Sequence, residues 1–153
     1  MDNFKKALNY AFLLLKYRPR TKQEIVSRLK KKGYSISIIE KVLVYLEENK
    51  YLDDRSFAQA FVFSRLSKGW GRKKIEFHLK KLGVPEEFIR ETLDKKDFKE
   101  KIKELIEKKI KYYKGKNLYQ KILKYLLVKG FDYHQTLEEL EKIGRQGRLD
   151  ENR

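Results

Sequence analysis

The chain contains no cysteine. Disulfides, thiolate chemistry and cysteine-ligated zinc are therefore excluded, and nothing argues for an oxidising, secretory destination. Turn residues are also scarce, with 2 prolines and 8 glycines in 153 residues, so long helices are the natural reading. Histidine is limited to His78 and His134, which are distant in sequence and have no serine or threonine beside them in a nucleophile pattern. Both read as ordinary helix residues. No long apolar run exists. The stretch Phe12 to Leu15 is flanked by lysine and tyrosine, too short for a membrane span and without a small-residue cleavage site. It reads as part of an amphipathic helix, and a cytoplasmic location without a membrane partner is expected.

What the chain has in abundance is charge. Lys and Arg number 38 against 22 Asp and Glu, a net charge of +16 that favours a polyanionic partner. Charged residues make up 39% of the chain, and part of that richness matches the ion-pair-covered surfaces of heat-adapted proteins. A hydrophobic share of 41% is enough to build a core.

A nine-residue string, Ile-x3-Leu-x3-Gly, occurs three times, at Ile25 to Gly33, Ile75 to Gly83 and Ile122 to Gly130. Residues four apart share a helix face, and a glycine four places later ends a helix in the left-handed conformation without steric cost. Each string therefore predicts a helix end. Starts are expected at matching offsets. Thr21 with Glu24 reads as a capping box, Asn117 with Gln120 as a weaker analogue, and Gly71 holds the corresponding place in the second copy. A further helix is expected after each glycine: Ser37 with Glu40 capping Ile38 to Leu46, Pro85 opening Phe88 to Leu93, and Tyr133 to Ile143. An amphipathic run precedes each string, with Asp54 and Asp97 as caps for the second and third. The expected fold is all-α: three tandem three-helix repeats over residues 1–52, 53–95 and 96–143, stacked in an elongated array that can curve, with a flexible tail at 144–153.

Chemistry is harder to find than binding. Asp53 and Asp54 stand directly before a helix with no further carboxylate at useful spacing, so capping outweighs metal binding. Gly69 to Lys74 lacks the spacing of a phosphate loop. It offers instead a turn that sets Trp70 among cations, where the plainer alternative is a tryptophan packed between repeats. Lys30 and Lys31 in the first repeat match Lys80 and Lys81 in the second, and Lys22 matches Arg72. The lysine pairs lie about 120 to 140° from the apolar stripe and should face solvent. The third repeat has Leu127 and Val128 at those places, which suggests a packing or protein-contact end. A helix-turn-helix reader is discounted, because Pro85, Glu86 and Glu87 would present acids where base-reading side chains are needed. Neither an enzyme activity nor a cofactor is expected.

The residues Tyr51, Leu52, Asp53, Asp54, Arg55, Phe57, Ala58, Phe61, Val62 and Arg65, followed by Gly71, Ile75, Leu79 and Gly83, resemble the RecX family. Upstream, Tyr17, Arg18, Arg20, Glu24, Leu29, Lys32 and Gly33 are similar to its first repeat. The resemblance covers residues 8–95 and is weaker beyond; His78 and Leu82 depart from the common family pattern. It implies tandem three-helix repeats in a cytoplasmic, cofactor-free regulator acting in DNA repair, homologous recombination and the SOS response. Its partner would be the filament of RecA recombinase on DNA, bound in the filament groove, with recombinase, ATPase and co-protease activities inhibited. A monomer is expected, touching single- or double-stranded DNA through phosphates. The expected contact residues are Arg18, Arg20, Arg28, Lys31, Arg65, Lys68, Trp70, Arg72, Lys73, Lys74 and Lys81. The rival reading is a non-specific DNA-binding or architectural protein.

Overall fold

A computed structural model describes residues 2–147 and 149. Among them are nine helices and no strand: α1 (Asn3–Tyr17), α2 (Lys22–Lys31), α3 (Ile36–Glu48), α4 (Asp54–Ser67), α5 (Arg72–Lys81), α6 (Glu86–Asp94), α7 (Phe98–Tyr112), α8 (Leu118–Val128) and α9 (Tyr133–Gly144). Contacts divide the chain into two compact units. The first holds residues 1–61 and 78–92, the second residues 62–77 and 93–153. The division does not follow the three sequence repeats, since the helices of the second repeat contribute to both units.

In the first unit α1 and α2 pack on α3. Ala7, Ala11 and Leu14 of α1, Ile25 and Leu29 of α2, and Ile39, Val42, Leu43 and Leu46 of α3 form one core with Leu52. Two alanines on α1 keep its buried face small, so that α3 can approach closely. In the second unit α7, α8 and α9 pack on one another. Ile102, Ile106, Ile122, Leu126 and Leu140 are fully buried there.

The middle helices end as the repeated string requires. Gly83 N–H donates to Lys80 O and Val84 N–H to Leu79 O, the paired bonds of a Schellman motif; Gly130 and Phe131 repeat the pattern on Leu127 and Leu126. Both glycines have positive φ, +85° and +96°. These turns also receive the start of the preceding middle helix. In the first unit the Thr21 hydroxyl donates to Leu82 O at 2.6 Å. In the second unit Gly71 N–H donates to Lys129 O at 2.7 Å and Lys73 N–H to Gly130 O at 3.0 Å. The same joint is thus made twice, once inside each unit.

Helix starts follow the expectation in part. Thr21 forms the full capping box with Glu24, and Asp97 caps α7 through Glu100 N–H. Elsewhere the structure corrects the reading. Ser35, not Ser37, caps α3 by accepting from Ile38 N–H, so the helix begins two residues earlier than the Ser37–Glu40 spacing implies. Asp53, not Asp54, caps α4 through Ser56 N–H, while Asp54 accepts from Lys22 N–H at the start of α2. Asn117 sits at the N-cap of α8 with φ +64° and makes no side-chain cap bond. Of the tail expected at 144–153, Gly144 closes α9 and Leu149 is buried, while residue 148 and residues 150–153 lie outside the described residues.

Candidate functional site

Within the first unit, Arg18 and Arg20 are engaged by carboxylate and backbone. Arg18, the C-cap of α1, forms an ion pair with Glu24, the same carboxylate that closes the α2 capping box. Arg20 is only 12% exposed at its side chain and donates from Nε to Leu14 O at 3.3 Å. Burial first, and then the neighbouring Arg18, pull its guanidinium below the ordinary value. These two arginines hold the α1–α2 turn together around Glu24. Arg28 donates to the Tyr10 hydroxyl at 3.3 Å. Lys31 and Lys81 are exposed, as their position opposite the apolar stripe requires.

In the second unit the structure brings Arg65, Trp70 and Lys74 together. Trp70 is half-buried, with the Arg65 guanidinium 5.2 Å and the Lys74 ammonium 4.3 Å from its ring centroid. Trp70 N–H donates to Arg65 O, which fixes the turn that carries the ring. Arg72 instead turns to Asp94, 2.5 Å away, and Lys73 is exposed.

Lys68 leads to a set of residues that the sequence patterns did not single out. It lines a pocket of about 350 Å³ with Ser67, Gly69, Lys101, Leu105, Lys108, Lys109, Tyr112 and Tyr125. A second pocket, of about 370 Å³, shares Tyr125 and is lined by Tyr113, Lys121, Lys124, Val128 and Lys129. The Lys109 ammonium lies 4.2, 4.6 and 5.5 Å from the ring centroids of Tyr125, Tyr112 and Tyr113. Burial, followed by the positive charges of Lys74 and Lys109, holds Lys129 below the ordinary lysine value. Lys101 and Lys108 share Glu104, whose own carboxyl is lowered by the bonds that Lys108 and then Lys101 donate. The signal that would have found this region is the i, i+3 spacing of Lys109 and Tyr112 on one face of α7, with Tyr113 following as its C-cap.

Leu127 and Val128 are the residues on which the reading of the third repeat as a packing or protein-contact end rests. Leu127 and Val128 are 37% and 69% exposed, and Val128 forms an apolar patch within a lysine-lined pocket. No cluster of three or more His, Asp or Glu among the described residues could hold a metal ion. No helix among them is long and apolar enough to cross a membrane.

The fold and this surface define an all-α helical-repeat protein with a cationic, aromatic face. Comparison with known proteins sharpens the class. Residues 7–46 match the RecX first three-helix domain and residues 53–93 the RecX second three-helix domain. The chain is 46% identical over 102 residues to the regulatory protein RecX of Geobacillus sp. (strain WCH70), covering 66% of this chain but 38% of that protein. It is 42% identical over 94 residues to the regulatory protein RecX of Prosthecochloris aestuarii, covering 61% of this chain and 62% of the relative. The crystal structure of RecX from Lactobacillus salivarius superposes with a TM-score of 0.80 at 24% identity, over 92% of this chain and 96% of that one. A crystal structure of a regulatory protein RecX gives a TM-score of 0.71 at 26% identity, over 88% of this chain and 70% of the other. The chain belongs to the RecX family of regulatory proteins.

Proposed function

We propose that this chain is a non-catalytic, cytoplasmic regulator that binds the RecA–DNA filament and inhibits its recombinase, ATPase and co-protease activities. Membership of the RecX family supports this choice of partner. The observation that carries contact with the filament's nucleic acid is the set Lys68, Lys109, Lys121, Lys124 and Lys129, to which no ion pair among the described residues runs. Positive charge of this kind speeds encounter with a polyanion, while the shape of the helical units sets which filament is accepted. Lodged in the filament groove as a monomer, the chain would obstruct entry of duplex DNA or repressor and the protomer motions coupled to ATP hydrolysis. RecA, not this chain, holds the ATP.

The test is the ATPase rate of RecA on single-stranded DNA as this protein is added, with DNA in excess so that sequestration of the strand is not the cause. A fall in rate at substoichiometric protein is expected, and an unchanged rate sinks the reading. The lysine set equally supports a second reading, a non-specific DNA-binding protein. That reading requires affinity for bare DNA that falls steeply with salt and no preference for the RecA-coated strand.

A further inference from the structure

We propose that the two pockets that meet at Tyr125 form a track for one single strand of nucleic acid, with phosphates among the lysines and an unpaired base against Tyr112. The proposal deepens the functional reading above and rests on it only in taking nucleic acid as part of the target.

Three observations carry it. First, the cations are distributed. Lys68, Lys101, Lys108 and Lys109 line one pocket and Lys121, Lys124 and Lys129 the next, with Tyr125 as the shared wall. A small anion suits the first pocket alone; the second has an almost wholly apolar lining with Lys121, Lys124 and Lys129 around it, which suits a chain whose phosphates meet the lysines and whose apolar groups meet the lining. Second, the charge is poorly compensated. Among the described residues, the ion pairs within this set run from Lys101 and Lys108 to Glu104. Lys129 already sits against Lys74 and Lys109 as like charges, a repulsion that a phosphate between them would relieve. Third, the cations are interleaved with rings. Tyr112 is 71% exposed beside Lys109, and Tyr113 and Tyr125 complete the group.

Rings interleaved with lysines are the chemistry of single-strand binding, where the backbone follows a positive groove and bases stack on aromatic faces. A duplex keeps its bases paired and has none to offer Tyr112. An acidic peptide would satisfy the lysines and make no use of the ring.

The experiment follows fluorescence anisotropy of a labelled thymidine oligonucleotide, about 15 residues long, with the full chain over a series of salt concentrations. Lys68→Glu with Lys124→Glu places one reversal in each pocket at exposed residues. This pair should weaken binding about tenfold or more and flatten the salt slope by about 1.4, two single-strand phosphate contacts. Lys6→Glu with Lys41→Glu, exposed residues of the first unit, changes net charge equally and should weaken binding by less than about threefold without changing the slope comparably. Tyr112→Ala should weaken the oligonucleotide by about 5-fold or more but leave inorganic polyphosphate binding unchanged. Melting curves establish that each variant is folded. The proposal is overturned if the two charge pairs weaken binding alike, if a duplex binds as tightly as the single strand with no effect of Tyr112→Ala, or if polyglutamate displaces the oligonucleotide as well as polyphosphate does. RecA ATPase, run on the same variants, separates the two claims. Inhibition by the wild type with unaltered oligonucleotide binding by the variants removes the track and leaves the regulator. Lysine-dependent binding without inhibition does the reverse.

Discussion

The two units build one joint with different materials. In the first, the start of α2 meets the end of α5 through side chains: the Thr21 hydroxyl reaches Leu82 O, and the Gln23 side chain lies against Gly83. In the second, the start of α5 meets the end of α8 through backbone. A Cβ on Gly71 would stand 2.3 Å from the Gly130 carbonyl carbon and from Phe131 N. Amides at the start of α5 donate directly to the carbonyls that end α8, so each helix end satisfies groups that the other leaves without an intrahelical partner. Side chains can adjust to a substitution, and two backbones in contact cannot. The second joint should therefore be the less tolerant of the two.

Gly71→Ala is the sharpest attempt to break that contrast and carries the largest expected effect. The new methyl meets main-chain atoms at a distance that real Cβ atoms do not reach, so the α5–α8 joint must separate and its two amide bonds with it. A loss of about 3 kcal/mol or more is expected from the shift in denaturant midpoint. A loss under about 1 kcal/mol would mean that the backbone joint yields as readily as a side chain.

Gly83→Ala and Gly33→Ala separate close approach from backbone conformation. Both glycines have φ near +90°, at +85° and +89°, but a Cβ at Gly83 meets Gln23 Cβ at 2.3 Å, whereas at Gly33 it meets nothing within 4 Å. Gly33→Ala should cost about 1 kcal/mol, the left-handed penalty alone. Gly83→Ala should cost about 2 kcal/mol or more, and Gln23→Gly added to it should recover part of the difference, because the clash is with Cβ itself. Equal losses at the two glycines would remove the close approach from the account.

Thr21→Val tests the side-chain joint itself at nearly constant shape. The fully buried hydroxyl accepts from Glu24 N–H and donates to Leu82 O, so a methyl leaves one capping amide and one joint carbonyl without their partner. A loss of about 2 kcal/mol is expected in chemical denaturation, of the size measured for strong caps and buried hydrogen bonds.

These contrasts mark how far sequence reading reached. Helices and their ends were legible because period and capping are local: Ile25, Leu29 and Gly33 sit on one face and one turn, and Thr21 finds Glu24 three residues away. The cap positions that failed, Ser35 against Ser37 and Asp53 against Asp54, failed because a neighbouring residue of equal capping strength stood one or two places off. For Asp54 the competing bond comes from Lys22, far away in sequence. The joints were invisible for the same reason, since nothing local in Gly71 names Gly130. Among the expected contact residues, local pattern located the cations but not their partners. Glu24 engages Arg18 and Arg20, and Asp94 engages Arg72, whereas the lysines around Tyr125 come together only when α7 and α8 pack.

The smallest expected effect concerns pH, and it distinguishes the joints by chemistry. Asp54 helps the side-chain joint by accepting from Lys22 N–H at the start of α2, yet burial, its largest influence, raises its carboxyl above the ordinary value, and the Lys22 bond opposes this only in part. An acid whose folded value is raised favours the folded state fully below its unfolded value. That contribution is lost as pH rises through the folded value, so ionised Asp54 is a liability at neutral pH. Asp53, one residue earlier, behaves oppositely. The bond from Ser56 N–H lowers its carboxyl, and its contribution is present above the unfolded value and lost as pH falls through the folded one. Asp54→Asn keeps an oxygen for Lys22 N–H and removes the charge. It should raise the melting temperature at pH 7 by a small margin that closes as the pH is lowered toward 4, close to the ordinary aspartate value. The backbone joint at Gly71 has no titrating group in its two amide bonds, and the cost of Gly71→Ala should be the same at both ends of that range. A gain from Asp54→Asn that grows on acidification would reverse the sign and place the carboxylate, rather than its oxygen's hydrogen bond, among the groups that hold the first joint together.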